Sequence, residues 1–416
     1  MGIVIFLIMI SNKKTVVLAF VGCYLPGFRG GGPIRSIANM VERLGDEFDF
    51  RIVTMDRDLG DLHPYQSIKV DAWNQVAKAQ VFYASPASLS LWNIIKLIRL
   101  TQHDVLYLNS FFNVVFTLKP LLARWLGLVP RAAIVLAPRG EFSQGAFKLK
   151  HWKKAPYSQL LRQVGMLKDV RWHASTNFES ADIQRVVKVD SECINTVVNV
   201  ASDLSIVQNL PISNFSKIVD VKIGAESDVL RVCFLSRIAP MKNIDYALKV
   251  LAQVKATVQF NIYGPKELPA YWAECELLIA KLPQNIHVTY NGSVENSQVR
   301  SIISSHDLFF VPSLGENFGH VFMESLSAGV PILVSDRTPW RDLQEQKLGW
   351  DIPLDQPDQF LLALEEAAGF DQVKRSEMRA CCIAYAHHKA EDGEVLNMNR
   401  SLFLNAMNLH KLSIQS

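Results

Sequence analysis

The chain alternates short apolar, β-rich runs with amphipathic stretches, and this alternation limits the folds that it can adopt. Runs that are apolar throughout suit strands of a parallel sheet covered by helices on both faces. The pattern fades over a polar stretch at 211–227 and then begins again. The predicted strands are Thr15–Tyr24, Phe50–Thr54, Ala79–Tyr83, Val105–Asn109, Ala132–Ala137, Val229–Ser236, Val258–Tyr263, Ile286–Tyr290, Leu308–Val311 and Ile332–Val334.

These two series of strands predict an α/β protein of two Rossmann-like domains that face each other across a cleft. A chain of 416 residues is long enough for two such cores. We place the first domain at residues 1–211, a linker at 212–228 and the second domain at 229–393. The C-terminal segment, residues 394–416, is predicted to form a helix that crosses back onto the first domain.

Composition excludes several classes of protein. The 43 Lys and Arg against 40 Asp and Glu leave a net charge of +3, too balanced for a nucleic-acid-binding protein. The six cysteines form no CxxC pair, which argues against a zinc site or a disulfide framework and favours the reducing cytoplasm. The apolar run Ile3–Ile10 is far shorter than the ~20 residues of a spanning helix. We expect it to be an apolar lead-in rather than an anchor.

The most informative segment is residues 312–331, with the sequence PSLGENFGHVFMESLSAGVP. It follows the apolar strand Leu308–Val311 and turns through Gly315. A helix is predicted to begin near Phe318 or Gly319 and to end before Pro331. The N-terminus of such a helix offers free N–H donors and partial positive charge, which together suit a phosphate group.

Two carboxylates bracket this turn, Glu316 ahead of the predicted helix and Glu324 within it. A carboxylate beside a phosphate site would be repelled unless it accepts hydrogen bonds from hydroxyl groups, so sugar hydroxyls are suitable partners. The alternative is that Glu316 is a first-turn acid and Glu324 a solvated one. Glu324 shares a helix face with Val321 and Ala328, which favours burial and a specific role.

A second motif, VCFLSRIAPMKN, occupies residues 232–243 and places Arg237 and Lys242 after a strand. Two cations at the carboxyl end of a strand suit a diphosphate leaving group. Taken alone, the motif is also compatible with an ordinary exposed basic loop.

The first domain carries the loop GFRGGGP at residues 27–33, between a predicted strand and the helix Pro33–Leu44. Gly31 and Gly32 allow a phosphate or a sugar to approach the backbone. The spacing is not the GxGxxG of dinucleotide-binding proteins, and an ordinary flexible turn is the alternative. Further on, APRGE at residues 137–141 follows a strand, and we expect Arg139 and Glu141 to point into the cleft.

Other polar residues are given structural roles. Asp56 and Asp58 form a DxD sequence, which binds a metal in some enzymes, but here we predict that it caps a loop. The ten histidines contain no HxxxH pair, and His320 is predicted to be a helix-face residue. The sequence therefore predicts no metal site and no cofactor.

The ordered motifs closely resemble those of glycosyltransferase family 4, retaining enzymes of the GT-B fold. The segment at 232–243 resembles the strand-Arg-x4-Lys element of that family, and APRGE resembles its PRG segment in enzymes of bacterial surface polysaccharides. Six residues match the Glu-x7-Glu signature: Glu316, Phe318, Gly319, Glu324, Gly329 and Pro331. Asn317 departs from it by standing where many members have a small residue.

This resemblance implies a role for each matching residue. Glu324 would hold the nucleotide ribose, Glu316 would contact the donor sugar, and Arg237 and Lys242 would neutralise the donor diphosphate. We assign Glu316, Arg237 and Lys242 to catalysis. The remaining donor-binding residues are predicted to be Gly31, Gly32, Arg139, Gly264, Asn317, Phe318, Gly319 and Glu324.

The implied activity is hexosyl transfer, with retention, from a nucleotide-diphosphate sugar to a hydroxyl acceptor, without a metal. The implied acceptor is a glycan, in particular a lipid-linked glycan in O-antigen, capsule or exopolysaccharide synthesis. Two alternatives stay open: a nucleotide-sugar epimerase of the same fold, and a catalytically silent subunit of a polysaccharide assembly complex. The Glu-x7-Glu pair argues against the epimerase. The presence of Arg237 and Lys242 argues against the silent subunit, which would not need them.

A basic and aromatic stretch, residues 148–171, suggests where such an enzyme would work. A solvated helix face is the commoner outcome for such a run. Its mixture of cations with Trp152 and Tyr157 favours docking on an anionic membrane. We therefore expect a cytoplasmic protein that is peripheral on the inner face of the inner membrane.

Overall fold

The computed structural model describes residues 14–148, 151–201 and 229–415. The apolar lead-in and the predicted linker at 212–228 lie outside these residues. The described chain forms two sheets of mainly parallel strands, each covered by helices, which confirms the predicted α/β architecture of two Rossmann-like units. Within the described ranges, no helix is both long and apolar enough to cross a membrane.

The first sheet has eight strands in the order β3-β4-β2-β1-β5-β6-β7-β8, and β3 alone runs antiparallel to its neighbour. Its strand β6 is apolar and buried along its whole length, and β1 is so after its first residue, as expected where helices cover both faces of a sheet. The strands are β1 Thr15–Phe20, β2 Phe48–Met55, β3 Trp73–Val76, β4 Ala79–Ala84, β5 Val105–Asn109, β6 Ala133–Ala137, β7 Val170–Ala174 and β8 Ile194–Thr196.

Helices fill the connections of this sheet. They are α1 Gly32–Leu44, α2 Leu91–Leu100, α3 Lys119–Trp125, α4 Gln144–Lys148, α5 His151–Gln163 and α6 Asn177–Val187. Shorter helical turns lie at Pro86–Leu89, Val114–Leu118 and Ser191–Cys193. The predicted first strand is too long, because pairing of β1 with β5 ends at Phe20 and the chain then enters the glycine-rich loop.

The second sheet has six parallel strands in the order β11-β10-β9-β12-β13-β14. The strands are β9 Val229–Leu235, β10 Thr257–Tyr263, β11 Ile286–Tyr290, β12 Leu308–Val311, β13 Ile332–Ser335 and β14 Gly349–Ile352. Its helices are α7 Ile244–Leu251, α8 Pro269–Ile279, α9 Asn296–Ser304, α10 His320–Ser327, α11 Pro357–Ala368 and α12 Gln372–Ala390, with a short turn at Pro240–Lys242.

The last helix, α13 Gly393–Gln415, returns to the first sheet. Phe403 is fully buried there, with its ring 5.6 Å from that of Phe48 and 5.4 Å from that of Tyr107. Arg400 of the same helix pairs with Glu47 at 2.6 Å. The chain thus crosses between the two units twice, and α13 completes the core of the first one.

The loops singled out in the sequence follow the carboxyl ends of parallel strands. The glycine-rich loop follows β1, APRGE follows β6, the Arg237 loop follows β9 and the Glu316 loop follows β12. In parallel sheets these ends share one edge, which is where ligands of such folds bind. The two edges meet, since α1 of the first unit contacts α10 of the second.

Candidate active site

The loop after β12 leads directly into α10, as the sequence predicts. Gly319 is the residue before the helix and has a φ of 76°, a backbone conformation that residues with a side chain rarely adopt. A Cβ at this position would also lie 2.4 Å from the ring of Phe322, so only glycine fits. Among the described residues no side chain caps the first turn of α10, which leaves N–H donors available to an anionic ligand.

Lys242 and Glu316 form an ion pair, and each side chain is only 13% exposed. Two hydrogen bonds to backbone carbonyls hold their loops together: the Leu314 N–H donates to the Met241 carbonyl at 2.8 Å, and the Asn243 side chain donates to the Pro312 carbonyl at 3.0 Å. The cation predicted for the diphosphate and the carboxylate predicted for the sugar therefore lie side by side at the entrance to α10.

Arg237 lies at the edge of this cluster. Its guanidinium pairs with Glu267 at 2.9 Å, and both side chains are well exposed. An exposed pair of this kind contributes little to stability, so a ligand phosphate can compete for Arg237. The site also adjoins the first unit, since a Cβ on Gly31 would lie 3.9 Å from Arg237 Nε.

The other three glycines assigned to donor binding, Gly31, Gly32 and Gly264, differ in their surroundings. A Cβ on Gly32 would meet no described atom within 4 Å, and Gly31 has a φ of 66° at the start of α1. There is thus open space above this turn. A Cβ on Gly264 would lie 1.9 Å from the Ser236 carbonyl oxygen, so this glycine is needed for packing beneath the Arg237 loop.

Glu324 does not face open space but pairs with Arg35 of α1 at 2.8 Å, across the cleft. One turn earlier, His320 Nε2 and the Ser36 hydroxyl are hydrogen-bonded at 2.8 Å. Burial raises the pKa of Glu324, while Arg35 acts in the opposite direction. Arg35 and Ser36 were not predicted as site residues, because their only signal in the sequence is their position in the first turns of the helix after the glycine-rich loop.

His320 lies on α10, as the sequence predicts, but its contact with the other unit could not be predicted. His320 is buried between the two units, and its ring meets that of Phe318 edge-on at 4.7 Å. Burial lowers its pKa to about 3, and the charges of Arg139 and Arg35 act in the same direction. The imidazole is therefore neutral at physiological pH.

Arg139 has a φ of 57° and is held within the first unit. Its guanidinium donates to Asn109 at 3.0 Å, to Asn199 at 2.6 Å and to the Tyr107 hydroxyl at 2.7 Å. The expectation that Glu141 points into the cleft is wrong, because its carboxylate accepts from the backbone of residues 111 and 112. The APRGE turn therefore positions Arg139, while Glu141 stabilises a neighbouring loop.

The APRGE turn packs directly on the signature loop. A Cβ on Gly140 would lie 3.3 Å from Cβ of Asn317, and the Gly140 N–H donates to buried Glu179 at 2.7 Å. The Phe318 carbonyl accepts from Trp340 Nε1 at 2.7 Å. Asn317 and Phe318 are thus fixed by contacts on both sides of the cleft.

The DxD residues have the structural role predicted for them. Asp58 accepts from the N–H groups of Phe28 at 2.8 Å and Arg29 at 3.1 Å, which holds the glycine-rich loop in place. Asp56 pairs with Arg57 at 2.7 Å. The described residues contain no cluster of three or more potential metal ligands.

A family model and several known proteins match parts of this chain. Residues 217–386 match the family model described as glycosyl transferases group 1. The chain is 29% identical over 166 residues, 38% of its length, to the phosphatidylinositol N-acetylglucosaminyltransferase gpi3 subunit of Schizosaccharomyces pombe. It is 23% identical over 248 residues, 58% of its length, to an uncharacterized 41.2 kDa protein in the cps region of Klebsiella pneumoniae. These alignments span 35% and 63% of the two relatives, less than two thirds of each.

Among solved structures, the chain is similar to Anabaena Alr3699/HepE in complex with UDP-glucose. The TM-score is 0.64 at 15% identity, over 94% of this chain and 98% of that one. At this identity the likeness establishes the fold, which is GT-B as the sequence predicts.

Proposed function

We propose that this chain is a glycosyltransferase of the group 1 type, whose family model its residues 217–386 match, and that it moves a hexose from a nucleotide-diphosphate sugar to a hydroxyl group of an acceptor, with retention. The observation that carries the proposal is the Lys242–Glu316 pair beside the uncapped start of α10. A cation, a helix N-terminus and a carboxylate in one small volume suit a departing diphosphate and a reacting sugar.

In the proposed reaction, Lys242 and the N–H groups of α10 stabilise the charge that develops on the diphosphate as the bond to the sugar breaks. Arg237 exchanges its exposed partner Glu267 for a phosphate oxygen. Glu316, released from Lys242, accepts hydrogen bonds from the sugar and shields positive charge at the anomeric carbon. The second unit thus holds the leaving group while the first closes over the sugar.

A screen of nucleotide sugars tests this proposal, with release of the nucleotide and transfer to an acceptor measured separately. Lys242→Gln and Glu316→Gln should each lower turnover by about 100-fold or more, since each removes a charge at the reacting centre. Lys249→Gln is the matched control, because Lys249 pairs with Asp245 on the exposed side of α7. Full activity of the Lys242 and Glu316 variants would contradict the proposal.

The same assay separates the alternatives. An epimerase would release nucleotide and a changed sugar with no acceptor present, whereas a transferase needs the acceptor for rapid turnover. A silent subunit would turn over no donor at all. NMR of the product would show whether the anomeric configuration is retained.

We propose that no metal is needed, because Lys242, Arg237 and the α10 N-terminus provide the positive charge at the diphosphate. Asp56 and Asp58 already bind Arg57 and the glycine-rich loop. Turnover should persist in EDTA. Loss of turnover in EDTA with recovery on adding magnesium would contradict this.

We further propose that the acceptor is lipid-linked and that the first unit docks on an anionic membrane. What supports this is a docking face on α2, α3 and α5, three helices that contain no Asp or Glu. The helices adjoin one another, since α2 contacts α3 and Trp125 Nε1 donates to the Val164 carbonyl after α5 at 2.9 Å. Its exposed apolar side chains are Trp92, Leu100, Trp125, Leu126, Trp152 and Leu160.

The exposure of these side chains is unusual for a surface that faces only water. Trp92, Leu100 and Trp152 are each more than 70% exposed. Exposed tryptophans beside Lys and Arg are typical of surfaces that lie in the membrane interface, where the ring is partly apolar and the cation meets lipid phosphate. Lys96 and Arg99 of α2 and Lys153 of α5 provide such cations.

Of the basic residues assigned to docking from the sequence, Lys150 lies outside the described residues. Lys154 donates to the Ala146 carbonyl at 2.7 Å and lies over the ring of Phe112, so it belongs to the fold rather than to the docking face. The test therefore uses Trp92→Ala with Trp152→Ala, and Lys96→Gln with Lys153→Gln. Leu277→Ala, an exposed residue of α8, is the control.

Both double variants should float less well with anionic liposomes, and wild-type binding should weaken in high salt. The Leu277 control should float like the wild type. Equal flotation of all proteins, or none by any, would mean that the face does not bind membrane.

A further inference from the structure

On the far side of the second unit lies a cavity of about 80 Å³, at the amino ends of β9, β12 and β13. The candidate active site is at the opposite, carboxyl ends of these strands, so the cavity is separate from it. Its lining includes the side chains of Arg231, Asp307, Arg375 and Arg379 and the backbone turn at Gly329. The space is large enough for several water molecules, and hence for one tetrahedral oxyanion.

Positive charge in this region exceeds negative charge. Asp307 is the one carboxylate of the lining, and it is already engaged by Arg231 at 2.9 Å and Arg375 at 3.0 Å. Arg379 donates to no acceptor among the described residues. Its neighbour Arg300 donates to the Ser327 carbonyl at 2.9 Å but meets no described carboxylate. Four guanidinium groups therefore share one carboxylate.

Arg300 and Arg379, the two arginines that meet no described carboxylate, also repel each other. Burial lowers the pKa of both, and Arg379 further lowers the pKa of Arg300 through repulsion. The stem of Arg379 packs closely on the backbone of Gly329, since a Cβ added to this glycine would lie only 2.6 Å from Arg379 Cγ. Partly buried cations are normally paired, and the fork of an arginine matches the oxygens of a phosphoryl group.

We propose that this cavity is a binding site for a phosphoryl group, held by Arg375 and Arg379 with Arg300 close behind. The lining includes Gly329, in the turn that follows α10, so the cavity and the proposed donor site lie at opposite ends of this short helix. The neutral form of buried His306 completes the lining without adding charge.

The alternative is that Arg300 and Arg379 serve only to stabilise the carbonyl end of α10, where cations are favourable. In that case the cavity would stay empty and the arginines would act without a ligand. The two roles differ in whether phosphate changes the stability of the protein through Arg379.

The test measures the thermal midpoint of the full chain in increasing sodium phosphate, with ionic strength kept constant by sodium chloride. All proteins carry Lys242→Gln, so that phosphate at the proposed donor site contributes little. The variant is Arg379→Gln, and the control is Lys389→Gln, an exposed residue on the same helix α12. A sugar phosphate is titrated in parallel, to distinguish free phosphate from a phosphorylated metabolite.

We expect a saturable rise of the midpoint in the parent and in the Lys389 variant, and at least a tenfold higher apparent Kd in the Arg379 variant. A tighter effect of the sugar phosphate would identify a metabolite as the ligand. Equal phosphate dependence of the two variants, or none in any protein, would overturn the proposal. If Arg379→Gln fails to fold, tungstate can be soaked into crystals of the wild-type protein instead. We then expect tungstate between Arg375 and Arg379. Tungstate found only beside Lys242 would overturn the proposal.

Discussion

The two glutamates of the signature differ in position, and this difference predicts different defects. Glu324 lies within α10, where the nucleotide ribose would be bound, whereas Glu316 lies at its entrance beside Lys242. We expect Glu324→Ala to weaken binding of the free nucleotide by ~1–3 kcal/mol, which is a factor of about 5 to 150. Glu316→Ala should instead slow turnover with little change in nucleotide affinity. Calorimetry that found Glu316→Ala to be the binding-defective variant would reverse the two roles.

His320 predicts a pH dependence of stability. Its pKa is about 3 in the folded protein, against about 6.5 when exposed, so the unfolded or opened chain takes up the proton first. The stabilising contribution is therefore complete above about pH 6.5 and is lost progressively as the pH falls toward 3. At pH 5.5 the loss is about 1.4 kcal/mol relative to pH 8.

The measurement is the thermal midpoint of wild type and of His320→Gln at both pH values, since glutamine can still meet the Ser36 hydroxyl. The wild-type midpoint should fall further on acidification. Arg35 and Arg139 face His320 in both proteins, and Glu324 lies one turn away, so their contributions cancel in the comparison. Buried His173, whose pKa is also about 3, is likewise common to both. Parallel pH curves would show that His320 is protonated as easily in the folded protein as in the unfolded one.

At the scale of single elements, α13 is predicted to be essential for the first unit, although it comes last in the chain. Phe403→Ala removes a fully buried ring from contacts with Phe48 and Tyr107. Such a substitution costs roughly 3–5 kcal/mol. Leu412→Ala, at a position of the same helix that is 62% exposed, should cost less than about 0.5 kcal/mol. Denaturant unfolding of both variants checks this, and equal stability would mean that α13 is only loosely docked.

The strands whose bounds are predicted well from the sequence are mainly those made of apolar residues. β5, β11 and β12 have the bounds predicted for them. β12 is apolar throughout and β5 is apolar up to Asn109, whereas β11 alternates apolar residues with His287 and Thr289. The edge strand β3 was missed, since Trp73–Val76 has two polar residues in its centre and pairs antiparallel at the margin of the sheet. β14 was missed because Gly349–Ile352 is only four residues long and contains Asp351.

In the candidate site, too, some contacts could be predicted from the sequence and others could not. Lys242 and Glu316 could be predicted to be neighbours, because each follows a strand of one parallel sheet. Arg35 could not be assigned to Glu324, since 289 positions separate them and their contact depends on how the two units close. The roles of Glu141 and His320 were missed for a related reason. Their partners lie on other loops or on the other unit, and no local pattern of residues specifies such contacts.

At the scale of the whole molecule, the Arg35–Glu324 pair and the Ser36–His320 hydrogen bond join the two units across the cleft. If Glu324 is to bind the ribose of a nucleotide, its ion pair with Arg35 must first break. In that case Arg35 would compete with the nucleotide for Glu324, and its ion pair with Glu324 would hold the cleft closed when no nucleotide is bound.

This double role makes an unusual prediction for Arg35→Gln: tighter binding of the free nucleotide but slower turnover. Binding should improve because no cation has to be displaced from Glu324, and turnover should fall because the closed arrangement loses its ion pair. Arg43→Gln is the control, since Arg43 lies on the same helix but donates to the Ala390 carbonyl at 3.0 Å, away from α10. Calorimetry with free nucleotide and steady-state kinetics with the donor separate the two effects. Weaker nucleotide binding in Arg35→Gln would mean that Arg35 contacts the nucleotide itself and that the pair with Glu324 is not a competitor.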